Sequence, residues 1–466
     1  MLKIILSTVL SIFTATALLM VFYWRDLHFD PTAKDILIYF LWIPLGISCL
    51  VLMPYLAWKW YQHKKQKEEI AQNEAKNAVE ANEPLPKTEV EQIELNIYSA
   101  SLLSQLGSNE ELVAKIAKGV APDLDKDLIG HDGERLLSYR IDETYFEDVA
   151  EQHLDVLPLQ VRMMNLITAH FKENRNIFSS IAKQLKESAL FYDTQLAYQY
   201  KMHPAWIGED YDASEDIEEP IAEKVQKLDQ LNLLILLPST LQHSWNELAT
   251  TEMCESYLDE LGILSEQINI EYHYCSERSA YHNLVELCQS NTQDLSEISF
   301  ILAVESEIDQ DTLDGVMSVG ADYIPSEFIG SCCISSASIV FENIPVLKQV
   351  FIQLEQKDLA QTLSTFHLTD LSQYEEDEPF VIIPDDMRTP KANKKVIKNF
   401  ESTPIEIHHL IYTKFSLGST EQLSKVFGFL AGLHIPHTLT GFFYSLDLPE
   451  VQVVIKPKPE DDHEHI

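Results

Sequence analysis

The run LNLLILLP, Leu231–Pro238, contains one polar side chain, Asn232, in eight residues. It lacks the alternation of a strand wetted on one face. A short continuous apolar run of this kind is predicted to be a strand covered on both faces. A helical pattern follows in HSWNELATTEMCESYLDELG, stopped by Gly262. INIEYHY (Ile268–Tyr274) then alternates as a strand, Ala280–Cys288 reads as a helix, and ISFILAV (Ile298–Val304) is a second buried strand. Strands alternating with helices at this spacing predict an α/β fold, with a mostly parallel or mixed sheet covered by helices.

The flanking segments extend the pattern. LNIYSASLL supplies a strand at Leu95–Ser99, and Pro158–Tyr192 is helical with proline in its first turn. VLKQVFIQLEQKDLAQTLSTF is predicted as a helix, FVIIP (Phe380–Pro384) and IEIHHLIY as strands. Ser419-Thr-Glu-Gln422 has the form of a capping box and is predicted to open a helix running through Leu430. HTLTGFFYSL and VQVVIKP close the chain as a pair of strands. Two α/β lobes, a helix-rich one over 95–230 and a second over 231–466, fit this order as well as one large domain does.

Two further apolar runs, Ile4–Trp24 and Ile36–Trp58, carry no charge and are long enough to cross a hydrocarbon layer about 30 Å thick. They are predicted to be transmembrane helices, forming a hairpin over 1–61. Lys59, Lys64, Lys65 and Lys67 follow the second run, whereas the connecting loop has Arg25 and Lys34 against three aspartates. The positive-inside bias places both termini and the large domain in the cytoplasm of a bacterium, at its inner membrane; the inverted, periplasmic topology is the alternative. Residues 62–94 are charged and alanine-rich, and read as a tether. Cys254, Cys275, Cys288, Cys332 and Cys333 make an odd set beyond the spans, which suits reduced thiols better than a disulfide framework.

The formal net charge of −39 repels phosphate backbones and excludes nucleic acid as a partner, a local patch apart. No GxGxxG, GxxxxGK[ST] or GxSxG occurs, so the sequence implies no cofactor and no standard nucleophile elbow. Cys332 and Cys333 in GSCCISSAS are the candidate nucleophiles; the competing reading makes them small hydrophobes entering the strand ASIVFEN. His408-His409 alternate across an expected strand, and His434 and His437 lack a carboxylate at ligand spacing, so no metal site is expected. The acidic stretch with Glu209, Asp210, Asp212, Glu215 and Asp216 reads as an exposed loop or as a docking surface for a basic protein partner. Lys391, Lys394, Lys395 and Lys398 form the basic island of the chain, facing those acids or an outside partner.

Two resemblances add to this. LDVLPLQVRMMNLITAHFKE and IEIHHLIYTKFSLGSTEQLSKVFGFLAG, behind a membrane hairpin and a tether, resemble the membrane-tethered type VI lipase-adaptor family of bacterial secretion. That resemblance implies a non-enzymatic scaffold holding a toxin or another apparatus component, and it transfers no functional residues. GADYIPSEFIGSCCISSASIVFEN (Gly320–Asn343), with ILAVES (Ile301–Ser306) before it, is similar to a stretch of the thiolase-like condensing enzymes. There is no reactive cysteine upstream of ILAVES and no His pair after it, so this second resemblance implies a fold without its activity. The expectation is therefore a membrane-anchored adaptor. Its alternative is a membrane-tethered thiolase-like or acyl-transfer/hydrolase enzyme.

Overall fold

The computed structural model describes residues 92–131, 133–146, 156–207, 225–292, 294–316, 323–341 and 343–458, together with Leu18, Phe22, Arg25 and Trp42. The two expected membrane spans, the tether up to residue 91 and the acidic stretch from Glu209 to Asp216 lie outside the described residues. Among the described residues, no helix is long and apolar enough to cross a membrane. Residues 1–89 and 90–466 form separate units.

Strand β1 (Gln92–Ser104) opens the second unit, followed by β2 (Gly107–Ser108), helix α1 (Asn109–Ala117) and the small hairpin β3 (Asp123–Ile129) with β4 (Arg135–Ser138). The expected single helix over Pro158–Tyr192 is two, α2 (Pro158–Glu173) and α3 (Arg175–Tyr192), and α4 (Thr194–Met202) follows them. Then come β5 (Gln230–Pro238), α5 (Glu247–Glu260), β6 (Ile268–Cys275), α6 (Ala280–Ser290) and β7 (Glu297–Ser306), in the order expected. After α7 (Gln310–Val316) the chain forms β8 (Glu327–Ser336), β9 (Lys348–Gln353), α8 (Leu359–Thr365), β10 (Val381–Ile383), α9 (Pro390–Phe400), β11 (Leu410–Tyr412), α10 (Ser424–Gly432), β12 (Gly441–Tyr444) and β13 (Gln452–Pro457).

Eleven of these strands build one mixed sheet, in the order β11-β10-β12-β13-β9-β1-β8-β7-β5-β6, with β2 on β1. β5 is parallel to both β6 and β7, and β10 to both β11 and β12, whereas β1 is antiparallel to β8 and to β9. Each group of parallel strands carries its crossover helices, and antiparallel pairing joins the groups through β1. Residues of both expected lobes thus share one sheet. Side chains alternate between two apolar layers: on β7, Ile301 and Ala303 face one, while Phe300, Leu302 and Val304 face the other. Phe300 is fully buried against Phe171 of α2 and Phe178 of α3, with ring centroids 6.1 and 4.6 Å away.

Three sequence expectations are corrected. VLKQVFIQLEQ is not helical: β9 alternates between β1 and β13, and the helix begins only at Leu359. In IEIHHLIY only Leu410–Tyr412 is strand, because Ile407–His409 turn as a 3-10 helix capped by Glu406 and His409. Ser419–Gln422 does not cap α10, whose N-cap position is Leu423 with no side-chain cap of its own. Every residue of α10 is buried. A Cβ on Gly330 of β8 would lie 2.6 Å from Leu102 Cδ1 and 2.8 Å from Leu430 Cδ1, so glycine here lets α10 lie directly on the sheet.

Candidate active site

The parallel strands β5 and β7 end side by side at Pro238 and Ser306. The carboxyl ends of parallel strands are where an open α/β sheet leaves room for a ligand. There the structure has a cavity of about 420 Å³. Leu157, Leu159, Pro238 and Leu241 form an apolar wall, and Glu305, Ser306 and Glu307 close the end nearest the sheet.

Glu305 is almost entirely buried. The backbone N–H groups of Gln422 and Leu423 donate to its two carboxylate oxygens at 3.1 and 2.8 Å. These N–H groups just precede α10, so this distant carboxylate ties the start of the helix to the end of β7. Burial, with the charge of Glu307 beside it, nevertheless pushes the Glu305 carboxyl up to about 8. Desolvation outweighs the two hydrogen bonds, so the group carries its proton at neutral pH. Glu307 is also raised, chiefly by burial, although Tyr323 and Thr420 (Oγ1, 2.9 Å) donate to it. The buried amine of Lys414 donates to the Thr420 carbonyl at 2.8 Å and lies 3.4 Å from Glu421; burial lowers its pKa.

Behind the cavity wall, Ser306 Oγ donates to Glu327 Oε2 at 2.9 Å. Glu327, wholly buried, is gripped by the guanidinium of Arg162 through Nε (2.8 Å) and Nη2 (2.7 Å), and accepts the Ile141 N–H at 2.7 Å. Two turns along α2, His170 Nε2 lies 2.8 Å from Ser331 Oγ, and burial lowers that imidazole to about 3, leaving it neutral. Arg162 and His170 thus serve β8 from one face of α2, opposite Glu327 and Ser331.

Cys332 and Cys333 are mid-strand in β8, facing opposite layers of the core and without solvent exposure. Burial drives both thiols well above their ordinary range. The thiolate is the nucleophilic form of cysteine. In the folded chain at pH 7.5 neither is therefore expected to react with a maleimide over an hour, and labelling is expected to appear on denaturation; rapid modification in native buffer, located by peptide mass spectrometry, would contradict the burial. Cys254, Cys275 and Cys288 are likewise free and buried. His409 is inside, with Nδ1 accepting the Glu406 N–H at 3.0 Å, while His408 is more exposed, 3.5 Å from Glu406. Lys391, Lys394, Lys395 and Lys398 all lie exposed on α9, far along the sheet order from β7.

The sequence reading passed over Glu305 and Glu307 because it took ILAVES only as a strand. The available signal was a pair of carboxylates ending an otherwise apolar buried run.

No family model matches the chain, and no curated protein matches it. Among solved structures it is similar to an ishigamide ketosynthase/chain length factor (12% identity, 78% of this chain and 98% of that one, TM-score 0.42). It is also similar to the ketosynthase from module 6 of the bacillaene synthase of Bacillus subtilis 168 (9% identity, 78% and 72% covered, TM-score 0.46). A third is a type II polyketide synthase acyl-carrier protein in complex with its ketosynthase (10% identity, 78% and 99% covered, TM-score 0.40). These neighbours correct the expected type VI secretion adaptor and the scaffold role attached to it: they are ketosynthases, not secretion components. Of the two resemblances read from the sequence, that to the condensing enzymes agrees with them. At such identities and scores the likeness extends to neither a reaction nor a site.

Proposed function

We propose that this chain is an enzyme acting on acyl compounds by general acid–base chemistry, with Glu305 as the proton donor. The observation that carries the reading is Glu305 itself, a carboxyl held protonated at neutral pH on the wall of a largely apolar cavity at the strand ends. A carboxyl tuned to the working pH is suited to general acid catalysis. The apolar wall of Leu157, Leu159 and Leu241 suits a short acyl chain. In hydrolysis of an ester or thioester, the oxygen of water forms the new bond to the acyl carbon and the bond to the leaving group breaks. Glu305 gives its proton to the leaving oxygen or sulfur, and Glu307, when ionised, takes one from the attacking water. In transfer, an acceptor hydroxyl or thiol replaces water in the same step.

The test uses short-chain acyl p-nitrophenyl esters and acyl-coenzyme A thioesters. The wild-type chain is expected to turn over at least one series, and Glu305→Gln to lower kcat by about 10²-fold, the usual contribution of a positioned acid. The glutamine keeps one oxygen to accept a backbone N–H, so thermal unfolding of the variant distinguishes lost chemistry from a lost fold. Equal rates for wild type and variant with every substrate would refute the reading.

A further inference from the structure

Helix α9 carries four lysines, Lys391, Lys394, Lys395 and Lys398, in a chain of net charge −39, and no acidic residue falls between Thr389 and Phe400. The pairs 391/394, 391/395, 394/398 and 395/398 fall at the three- and four-residue spacings that bring helical side chains together, so each is a like-charge contact that weakens the helix. The fold does little to relieve them. Lys395 donates to the Leu446 carbonyl at 3.1 Å, but Lys391, Lys394 and Lys398 have no ion-pair partner among the described residues. Solubility does not explain the cluster, since the chain is already far from neutral.

Beside these lysines runs a groove of about 880 Å³, between α9 and the segment leading into β11, the edge strand of the sheet. Ile397, Ile405, Ile407 and Leu410 line it with Lys394 and Lys398, and Ile397 and Ile407 are 48% and 59% exposed. Glu401 and Glu406 also line it, and His408 is 3.5 Å from Glu406. The groove therefore joins an apolar floor to a cationic rim, and Glu401 and Glu406 add carboxylates to its lining.

We propose that this groove is a docking site for an acidic amphipathic helix of a partner protein, with the partner's carboxylates against Lys394 and Lys398 and its apolar ridge against Ile397 and Ile407. Charge complementarity and the apolar floor together select this occupant. A continuous phosphate backbone would meet Glu401 and Glu406 as well as the lysines, whereas a helix can set its few carboxylates against Lys394 and Lys398 alone. The proposal is independent of the chemistry assigned to Glu305.

The test uses the full-length chain and a fluorescein-labelled synthetic amphipathic helix of about five turns, with Glu on one face and Leu on the other. Fluorescence anisotropy is expected to show saturable binding that Lys394→Glu/Lys398→Glu weakens at least tenfold. Lys172→Glu/Lys183→Glu, the same charge change on α2 and α3, is expected to leave binding unchanged, and a peptide with Lys in place of Glu is expected not to bind. Unchanged binding by the α9 variant, or an equal loss in both double variants, overturns the proposal. So does binding to phosphatidylglycerol vesicles without binding to the peptide.

Discussion

Arg162→Ala is expected to lower the unfolding free energy by about 3–5 kcal/mol, the range found when one partner of a buried ion pair is removed. The cause lies in what remains. Glu327 has no solvent exposure, and without the guanidinium it keeps only the Ile141 N–H and the Ser306 hydroxyl as donors. A carboxylate so placed must bear its desolvation nearly alone or take up a proton. Urea unfolding followed by tryptophan fluorescence measures the loss; a change below about 1 kcal/mol would show that the two remaining donors suffice. Removing both partners, in Arg162→Met/Glu327→Leu, is expected to recover most of the stability, because no charge is then stranded.

The second large effect concerns pH. The Glu305 carboxyl has a folded value of about 8, against about 4.3 for a free glutamate side chain. Between those values the native state holds a proton that the unfolded chain has released. The stabilisation from Glu305 is therefore complete below about pH 4.3 and is lost as pH rises towards 8, with a slope of up to about 1.4 kcal/mol per pH unit. His170 and His434 act in the opposite sense: burial lowers both to about 3, so their contribution is lost as pH falls below the ordinary histidine range. The wild-type profile mixes these terms. The difference in unfolding free energy between wild type and Glu305→Gln isolates Glu305, and it is expected to move steadily against the wild type from pH 5 to 8. A difference that stays flat would place the Glu305 carboxyl in its ordinary range.

Much of the fold was legible in the sequence where one local pattern decided the outcome. The apolar runs at β5 and β7 have no competing reading, and both are strands buried on two faces. Legibility failed where long-range contacts decide. Lys348–Gln353 contains long side chains that also suit a helix, and it becomes a strand because β1 and β13 flank it. Ser419–Gln422 had the right residues for a cap, yet Thr420 binds Glu307 and the N–H groups of Gln422 and Leu423 go to Glu305, more than a hundred residues earlier. The candidate site stayed hidden for the same reason. Glu305 gains its character chiefly from the burial that folding imposes, which the close pair Glu305 and Glu307 in the sequence does not by itself disclose. The lysines of α9 were legible as a charge pattern, whereas the groove beside them needs residues 405–410 brought back against the helix.

The position of β1 has a consequence for the chain as it is made. It is the first strand of the sheet to leave the ribosome, but its neighbours β8 and β9 begin at Glu327 and Lys348, more than 200 residues later. At translation rates of about 5–20 residues per second, β1 waits roughly 10–50 s without these two neighbours. Throughout that interval Ile93, Leu95 and Ile97, buried in the finished sheet, lack their native strand pairing. Synthesis of this chain thus passes through a long window open to chaperone capture or mispairing, and the window closes only when β8 and β9 arrive to dock on either side of β1.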